Sequence, residues 1–116
     1  MKALALVVMA AIAGATAPAV AHAFLDHASP RAGDNLKPPP VKIELHFTEQ
    51  LEPAFSGITV TDEAAQDVTA GPSTFSGAEM DVPLKPLRPG RYRVTWHAVS
   101  VDTHRTDGKY NFLVLP

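Results

Sequence analysis

The feature that most constrains the fold of this chain is a strict alternation of apolar and polar residues in several short stretches. It is clearest in VKIELHF (41–47), recurs in GRYRVTWHA (90–98) and GKYNFLVL (108–115), and is shorter in GITVTD (57–62). A period of two places alternate side chains on opposite faces of a strand, so each stretch is predicted to be a half-buried β-strand. The side chains predicted to face the core are Val41, Ile43, Leu45, Phe47, Ile58, Val60, Tyr92, Val94, Trp96, Ala98, Tyr110, Phe112 and Val114.

The segments between these strands carry the residues of turns. AFLDHAS (23–29) predicts a first strand that ends before Pro30, and GAEMDVPL (77–84) has a weaker strand pattern. No window shows a sustained helical period. Several short strands joined by turns predict an all-β sandwich. The predicted loops, rich in Pro, Gly, Asn or Asp, are RAGDNLKPPP (31–40), QLEPAFS (50–56), EAAQDVTAGPS (63–73) and LKPLRPG (84–90).

The first residues follow the order of a secretory signal peptide. Lys2 gives the positive start, ALALVVMAAIA (3–13) gives the apolar segment, and small residues follow. The apolar run is short for a membrane span, and Pro18 soon interrupts the chain. We therefore expect residues 1–21 to be removed on export. Residues 22–116 are expected to form one domain without a membrane span.

The cleavage point has three frames with small residues at both required positions. The new first residue is Val20, His22 or Phe24, depending on the frame. The His22 frame is preferred and sets the domain boundary, while the other two remain open. The Val20 frame would place a histidine third in the chain, an arrangement that can also wrap a square-planar Cu(II) or Ni(II) ion.

Composition removes several classes of function. The 116 residues contain no cysteine, which excludes thiolate zinc sites, thiol catalysis and disulfides. The formal net charge of −2 and the absence of a basic run argue against a nucleic-acid partner. Histidine and carboxylate are therefore the strong metal ligands that this chain has to offer.

Histidine is frequent, and one histidine is paired with a carboxylate. In SVDTHRTDG (100–108), between two predicted strands, Asp102 and His104 are two residues apart. On an extended segment both side chains would point the same way and could share a metal ion. By alternation His46 faces away from the core, and it is expected to be exposed or hydrogen-bonded. The histidines are His22, His27, His46, His97 and His104, of which His27 and His97 are expected at the surface.

A histidine at the chain terminus would add a chelate to that pair. A free terminal amine loses its proton readily, since its pKa lies near about 8. The amine and the Nδ1 atom of His22 could then close a six-membered ring around a metal ion. His104 adds a third nitrogen and Asp102 an oxygen, and such a donor set suits Cu(II). Without cleavage before His22, its nitrogen is an amide and the chelate is lost.

Together these features resemble the CopC family of periplasmic copper-resistance proteins. Family members typically have a histidine after an A-x-A site, an LxFSE strand and a terminal YxVxWxxxSxDxHxxxGxxxF hairpin. The segments of this chain that carry the resemblance are HAFLDHASPRAGDNL (22–36), KIELHFTEQLEPAFSGITV (42–60) and LRPGRYRVTWHAVSVDTHRTDGKYNFLV (87–114).

The resemblance implies a Greek-key β-sandwich or barrel of about seven strands, similar to cupredoxins and immunoglobulin domains. It implies one Cu(II) ion per chain, held by His22, Asp102 and His104. Glu49, in the FTE that matches the family's FSE, is a secondary candidate ligand. The resemblance also implies an inner-membrane copper transporter of the CopD type as partner.

One departure from the family concerns methionine. Some members bind Cu(I) through a methionine-rich loop, whereas this chain has Met80 alone beyond the predicted signal. Met80 is expected to fill the core, and no dedicated Cu(I) site is expected.

We expect a Cu(II) carrier, chaperone or buffer in copper resistance and homeostasis, and not an enzyme. One alternative is a copper-dependent oxidative enzyme that uses an N-terminal histidine chelate. Ascorbate-driven oxygen consumption with substrate turnover would support this alternative. Another is a metal-free immunoglobulin-like scaffold or adhesion domain, for which copper binding would be weak and indifferent to the N-terminus.

Overall fold

The computed structural model describes residues 24–116, which form two four-stranded sheets packed face to face. Sheet I has the strand order β1-β3-β6-β5, and sheet II has the order β2-β8-β7-β4. The strands are β1 (Leu25–Ser29), β2 (Asn35–Leu36), β3 (Lys42–Phe47), β4 (Gly57–Thr61), β5 (Thr74–Ser76), β6 (Glu79–Pro83), β7 (Gly90–Val99) and β8 (Arg105–Val114), and a 3₁₀ turn spans Pro53–Phe55.

The prediction of an all-β Greek-key sandwich is confirmed, with eight strands in the described part of the chain where about seven were expected. The difference lies in two short strands. β2, which pairs in parallel with β8, falls in a segment predicted to be a loop. β5 pairs with the adjacent β6. Strands of two or three residues are too short to show a period in the sequence, which is why neither was predicted.

The core lies between the sheets and is built from the alternating positions. Ile43, Leu45, Val60 and Val94 are fully removed from solvent, and Trp96 is 5% exposed. Met80 is also completely buried, as expected of a core filler. The buried apolar residues are Phe24, Ile43, Leu45, Phe47, Leu51, Ile58, Val60, Met80, Val82, Leu84, Leu87, Tyr92, Val94, Trp96, Ala98, Phe112 and Val114.

The prediction that Val41 faces the core is wrong. Its side chain is 77% exposed. β3 begins at Lys42, so Val41 precedes the strand whose alternate side chains are buried. The alternation continues beyond the strand in the sequence, but the packing does not.

The longest element is the hairpin formed by β7 and β8. Its ten residue pairs run from Gly90 opposite Val114 to Val99 opposite Arg105. At the pair between Trp96 and Gly108, the indole lies directly against the glycine backbone. This hairpin carries the Asp102–His104 segment at its closed end and fixes where that segment emerges from the fold.

No helix within residues 24–116 is long and apolar enough to cross a membrane. The predicted signal peptide, the cleavage frames and His22 lie outside the described residues.

Candidate metal centre

The closed end of the β7–β8 hairpin is a tight turn that begins at Ser100. The backbone N–H of Ser100 donates to the carbonyl of His104 at 2.8 Å, and the N–H of Thr103 donates to the carbonyl of Ser100 at 2.8 Å. Thr103 has a φ of 73°, in the left-handed region. A β-branched residue is rarely found there, and such conformations concentrate at functional sites.

This turn brings Asp102 and His104 together, although not in the way that the sequence indicated. The expected extended segment is wrong, because Thr103 reverses the chain between the two residues. Their side chains nevertheless meet. The Nδ1 atom of His104 lies 3.1 Å from Oδ1 and 3.2 Å from Oδ2 of Asp102.

The carboxylate of Asp102 is surrounded by donors. The Ser100 hydroxyl donates to Oδ1, and the backbone N–H of His104 donates to the same atom at 3.2 Å. Led by the Ser100 hydroxyl and then by the His104 N–H, these contacts hold the pKa of Asp102 well below its usual range. Ser100 is itself fully buried, so the carboxylate is anchored to the core while its own side chain remains half exposed.

Glu49 joins the turn from a neighbouring loop. Leu51 forms a β-bridge with Ser100, and the N–H of Val101 donates to the carbonyl of Gln50 at 3.0 Å. One ligating atom from each of Glu49, Asp102 and His104 lies within 4.8 Å of those of the other two. We refer to these three residues as the loop cluster.

The described chain begins beside the loop cluster. The carbonyl of Phe24 accepts a hydrogen bond from the N–H of Thr48 at 2.8 Å, one residue before Glu49. The Phe24 ring is buried and packs edge-on against Phe47, with 5.3 Å between ring centroids. The N-terminal end of β1 is thus fixed next to the segment that carries Glu49.

The donors of the loop cluster are those of a nitrogen and oxygen metal site. If His104 keeps its proton on Nδ1 and donates it to Asp102, its Nε2 atom is free to bind a metal ion. Alternatively, the Asp102 carboxylate and the imidazole bind the ion together. Either arrangement suits Cu(II) or Zn(II) better than Ca(II) or Mg(II), which prefer oxygen ligands alone. Of the four predicted site residues, the structure brings three together, and the fourth, His22, lies outside the described residues.

His27 and His97 are exposed, as expected, whereas His46 is half-buried, and His27 and His46 are in contact with each other. The rings of His27 and His46 stack with 4.2 Å between centroids and 11° between planes. His46 also forms a group with Glu44 and Glu79, whose ligating atoms lie within 4.8 Å of one another. The sequence predicted that Glu44 and His46 share a face of β3, whereas Glu79 joins them only through the pairing of β3 with β6.

Next to this group lies Asp81, whose pKa is raised, whereas that of Asp102 is lowered. Burial raises the pKa of Asp81 to about 6, and a hydrogen bond with the Glu79 side chain and the charges of Glu79 and Glu44 add to the shift. Its Oδ1 atom is removed from solvent and has no hydrogen-bond partner.

The comparisons with known proteins agree with the fold and with the family expected from the sequence. Residues 25–115 match the CopC domain family. Over 117 aligned residues the chain is 37% identical to copper resistance protein C of Xanthomonas campestris pv. juglandis, and the alignment covers 93% of this chain and 91% of that protein.

Solved structures of similar proteins share the sandwich. The crystal structure of CopC from Methylosinus trichosporium OB3b has a TM-score of 0.74 and 32% identity, and covers 80% of this chain and 93% of its own. PcoC, a methionine-rich copper resistance protein from Escherichia coli, has a TM-score of 0.68 and 34% identity, over 78% of this chain and 96% of its own. On the family match, the sequence identity and the shared fold, the chain belongs to the CopC family.

Proposed function

We propose that this protein binds one Cu(II) ion in the periplasm and acts as a carrier, chaperone or buffer in copper resistance and homeostasis. The observation that carries the proposal is the convergence of Asp102, His104 and Glu49 at one end of the sandwich. The names of similar proteins, which include copper resistance protein C, support copper as the ion.

In this proposal the fourth ligand is His22, made available by signal cleavage. Phe24 is held beside Thr48 and Glu49, and two residues of chain span at most about 7 Å. Once the chain begins at His22, that residue would be within reach of the loop cluster. Its free amine and Nδ1 atom would complete a site with three nitrogens, from His22 and His104, and the oxygen of Asp102. Glu49 would bind directly or orient the ligands.

The donor set favours holding the ion over catalysis with it. Carboxylate ligands from Asp102 or Glu49 occupy positions that an oxidative enzyme would leave open for oxygen or substrate. The chain is accordingly proposed to be a binding protein, with an inner-membrane copper transporter of the CopD type as the partner that receives or supplies the ion. Met80 is fully buried in the core, so no dedicated Cu(I) site is proposed.

The proposal is tested by the N-terminal mass of the exported protein together with a Cu(II) titration. We expect a first residue of His22 and one tight Cu(II) equivalent, with nitrogen-dominated coordination in the EPR spectrum and quenching of Trp96 fluorescence. Replacing His104 by alanine, or adding one residue before His22, should weaken binding by at least about 100-fold, because each removes nitrogen donors.

His97→Ala is the matched control, since it removes an exposed histidine that is not part of the loop cluster and should leave the affinity unchanged. Wild-type affinity in both the His104→Ala and the extended protein would show that copper binds elsewhere. A first residue of Phe24 would remove His22 from the site.

Copper affinity should also fall on acidification. Protons compete with the metal for the imidazoles and for the terminal amine, whose ordinary pKa values lie near about 6.5 and 8. Asp102 keeps its charge through this range because its pKa is lowered. Titrations between pH 7.5 and pH 5.5 should therefore show weaker binding at each lower pH. An affinity that does not change over this range would contradict a nitrogen-dominated site.

A further inference from the structure

The outer face of sheet I carries a second set of ligating side chains. They lie on the neighbouring strands β3 and β6, which are distant in sequence. In β3 and β6 the inward positions are apolar, and all the outward positions except Pro83 are charged or carry an imidazole. The register places His46 opposite Glu79 and Glu44 opposite Asp81. Directly opposed residues on one face are within side-chain contact.

The two carboxylates of this set approach different nitrogens of the His46 ring. Nε2 of His46 lies 3.5 Å from Oε1 of Glu44, and its Nδ1 lies 3.9 Å from Oε1 of Glu79. One of these nitrogens would bind the ion, and the side chains would close around it by a small movement. A tetrahedral ion with bonds of about 2.0–2.1 Å holds its donor atoms about 3.3 Å apart. A ligating atom from each of the three lies within 4.8 Å of the others, and all three residues are half-buried. We refer to them as the sheet cluster.

The charges around the sheet cluster are unbalanced. Three carboxylates, from Glu44, Glu79 and Asp81, face one another across β3 and β6. The cation in contact is Lys42, whose Nζ lies 2.7 Å from Oε2 of Glu44 and leaves Oε1 turned to His46. Like charges opposite each other destabilise a sheet, and one lysine offsets one of three. A divalent cation would neutralise the remaining two charges.

A second and independent observation is the unpartnered oxygen of Asp81. Oδ1 is removed from solvent and has no hydrogen-bond partner, although buried carboxylate oxygens are normally paired. Its side chain lies beside Glu79 in the same strand and opposite Glu44. Asp81 thus adds an incompletely satisfied carboxyl beside the sheet cluster, although its own atoms are not among those that converge there.

We propose that Glu44, His46 and Glu79, with Asp81 beside them, form a second site for a divalent transition-metal ion such as zinc, separate from the loop cluster. The imidazole donor favours this class over Ca(II) or Mg(II). His27 acts as a positioning residue, since its ring stacks on His46 at 4.2 Å and fixes the plane in which the imidazole lies.

The test is a titration of the mature protein with ZnCl₂, followed by calorimetry and by the imidazole signals of His46 in NMR spectra. We expect a zinc equivalent that shifts the His46 signals and persists in His104→Ala. Glu79→Gln and His46→Ala should each weaken this equivalent by at least about tenfold. Lys42→Gln should strengthen it by about two- to threefold, because a competing cation is removed.

Two controls make the outcome decisive. Lys109→Gln, the control for Lys42→Gln, removes a lysine from sheet II and should leave zinc binding at the sheet cluster unchanged. Glu63→Gln, the control for Glu79→Gln, should also leave it unchanged. Zinc that is lost in His104→Ala but kept in His46→Ala and Glu79→Gln would assign all binding to the loop cluster and overturn the proposal, as would the absence of any shift of His46. Neither result bears on copper binding at the loop cluster, so the two proposals fail separately.

Discussion

The two sheets of this sandwich satisfy their polar side chains in different ways. At the hairpin of sheet II, Asp102 accepts hydrogen bonds from the Ser100 hydroxyl and from backbone N–H. At the other end of the same hairpin, the Tyr92 hydroxyl donates to the carbonyl of Arg88 at 2.7 Å. On sheet I, by contrast, the carboxyl of Asp81 lies opposite Glu44 and beside Glu79, and its Oδ1 has no hydrogen-bond partner.

The two clusters differ in what keeps their side chains in place. The donors around Asp102 lower its pKa, so the loop cluster is arranged by the protein's own hydrogen bonds before any ion arrives. The neighbours of Asp81 raise its pKa to about 6, so strand register holds that group together against repulsion. A cation would bind to a prepared site in the first case and would relieve the repulsion in the second.

The largest effect on stability is expected from Gly108→Ala, which disturbs the packing of the β7–β8 hairpin. A Cβ atom at this position would lie 2.6 Å from Cζ2 and 2.9 Å from Cε2 of Trp96. The buried indole would have to move, at a cost of about 2–3 kcal/mol in the free energy of unfolding. Urea denaturation followed by Trp96 fluorescence measures the loss. Copper affinity should fall as well, because the same hairpin carries the loop cluster.

Gly71→Ala is the matched control for that substitution. Its added Cβ would meet Cγ of Pro83 at 3.5 Å, an ordinary van der Waals contact. We expect a change within about 0.5 kcal/mol, as for other substitutions away from the core. Equal losses at Gly71 and Gly108 would mean that the contact with Trp96 does not limit the hairpin.

The loop cluster should respond next most strongly, to Ser100→Ala. The substitution removes a fully buried hydroxyl that donates to Asp102 and accepts from the N–H of His104 at 3.2 Å. We expect a loss of about 1–2 kcal/mol in stability and a rise of the Asp102 pKa toward its ordinary value. The carboxyl ¹³C signal of Asp102, followed against pH in the metal-free protein, reports that rise.

Ser56→Ala separates this effect from the loss of any hydroxyl near the hairpin. The Ser56 hydroxyl accepts from the N–H of Val99 at 3.0 Å and has no contact with Asp102. It should cost comparable stability and leave the Asp102 pKa unchanged. If Ser100→Ala also leaves that pKa unchanged, the hydroxyl is not what holds the carboxylate ionised.

The sequence predicts a cluster better when its members lie close together along the chain. Asp102 and His104 were identified because they are two residues apart, although Thr103 reverses the chain where an extended segment was expected. Glu49 came from the family resemblance alone, since the bridge between Leu51 and Ser100 has no local sequence signal.

The sheet cluster and the short strands could not be predicted from local sequence patterns, because both depend on pairing between strands. Alternation placed Glu44 and His46 on one face, but Glu79 is added by a strand pairing that connects distant parts of the chain. Strand register depends on the packing of whole sheets, which a window of residues does not contain. Val41 shows the converse error, because the alternation in the sequence begins one residue before the strand does, and this side chain is exposed.

The smallest effect, and one of opposite sign, is expected from Asp81→Asn in metal-free protein at pH 7.5. A pKa of about 6 leaves this carboxyl ionised at that pH, opposite Glu44 and beside Glu79. The amide removes a charge from the repulsive group and can donate to a neighbouring carboxylate, so stability should rise by about 0.5–1 kcal/mol. Thermal unfolding in the presence of a chelator measures the gain.

Asp67→Asn tests whether that gain belongs to the arrangement on sheet I. The carboxylate of Asp67 accepts from the N–H and the hydroxyl of Thr69 at 2.8 Å and 2.7 Å, and these bonds lower its pKa. Its replacement should therefore reduce stability slightly, by about 0.5 kcal/mol. The same chemical change then has opposite signs at the two positions, because one carboxylate is surrounded by donors and the other by carboxylates. Loss of stability at Asp81 as well would mean that its charge is already compensated without a cation.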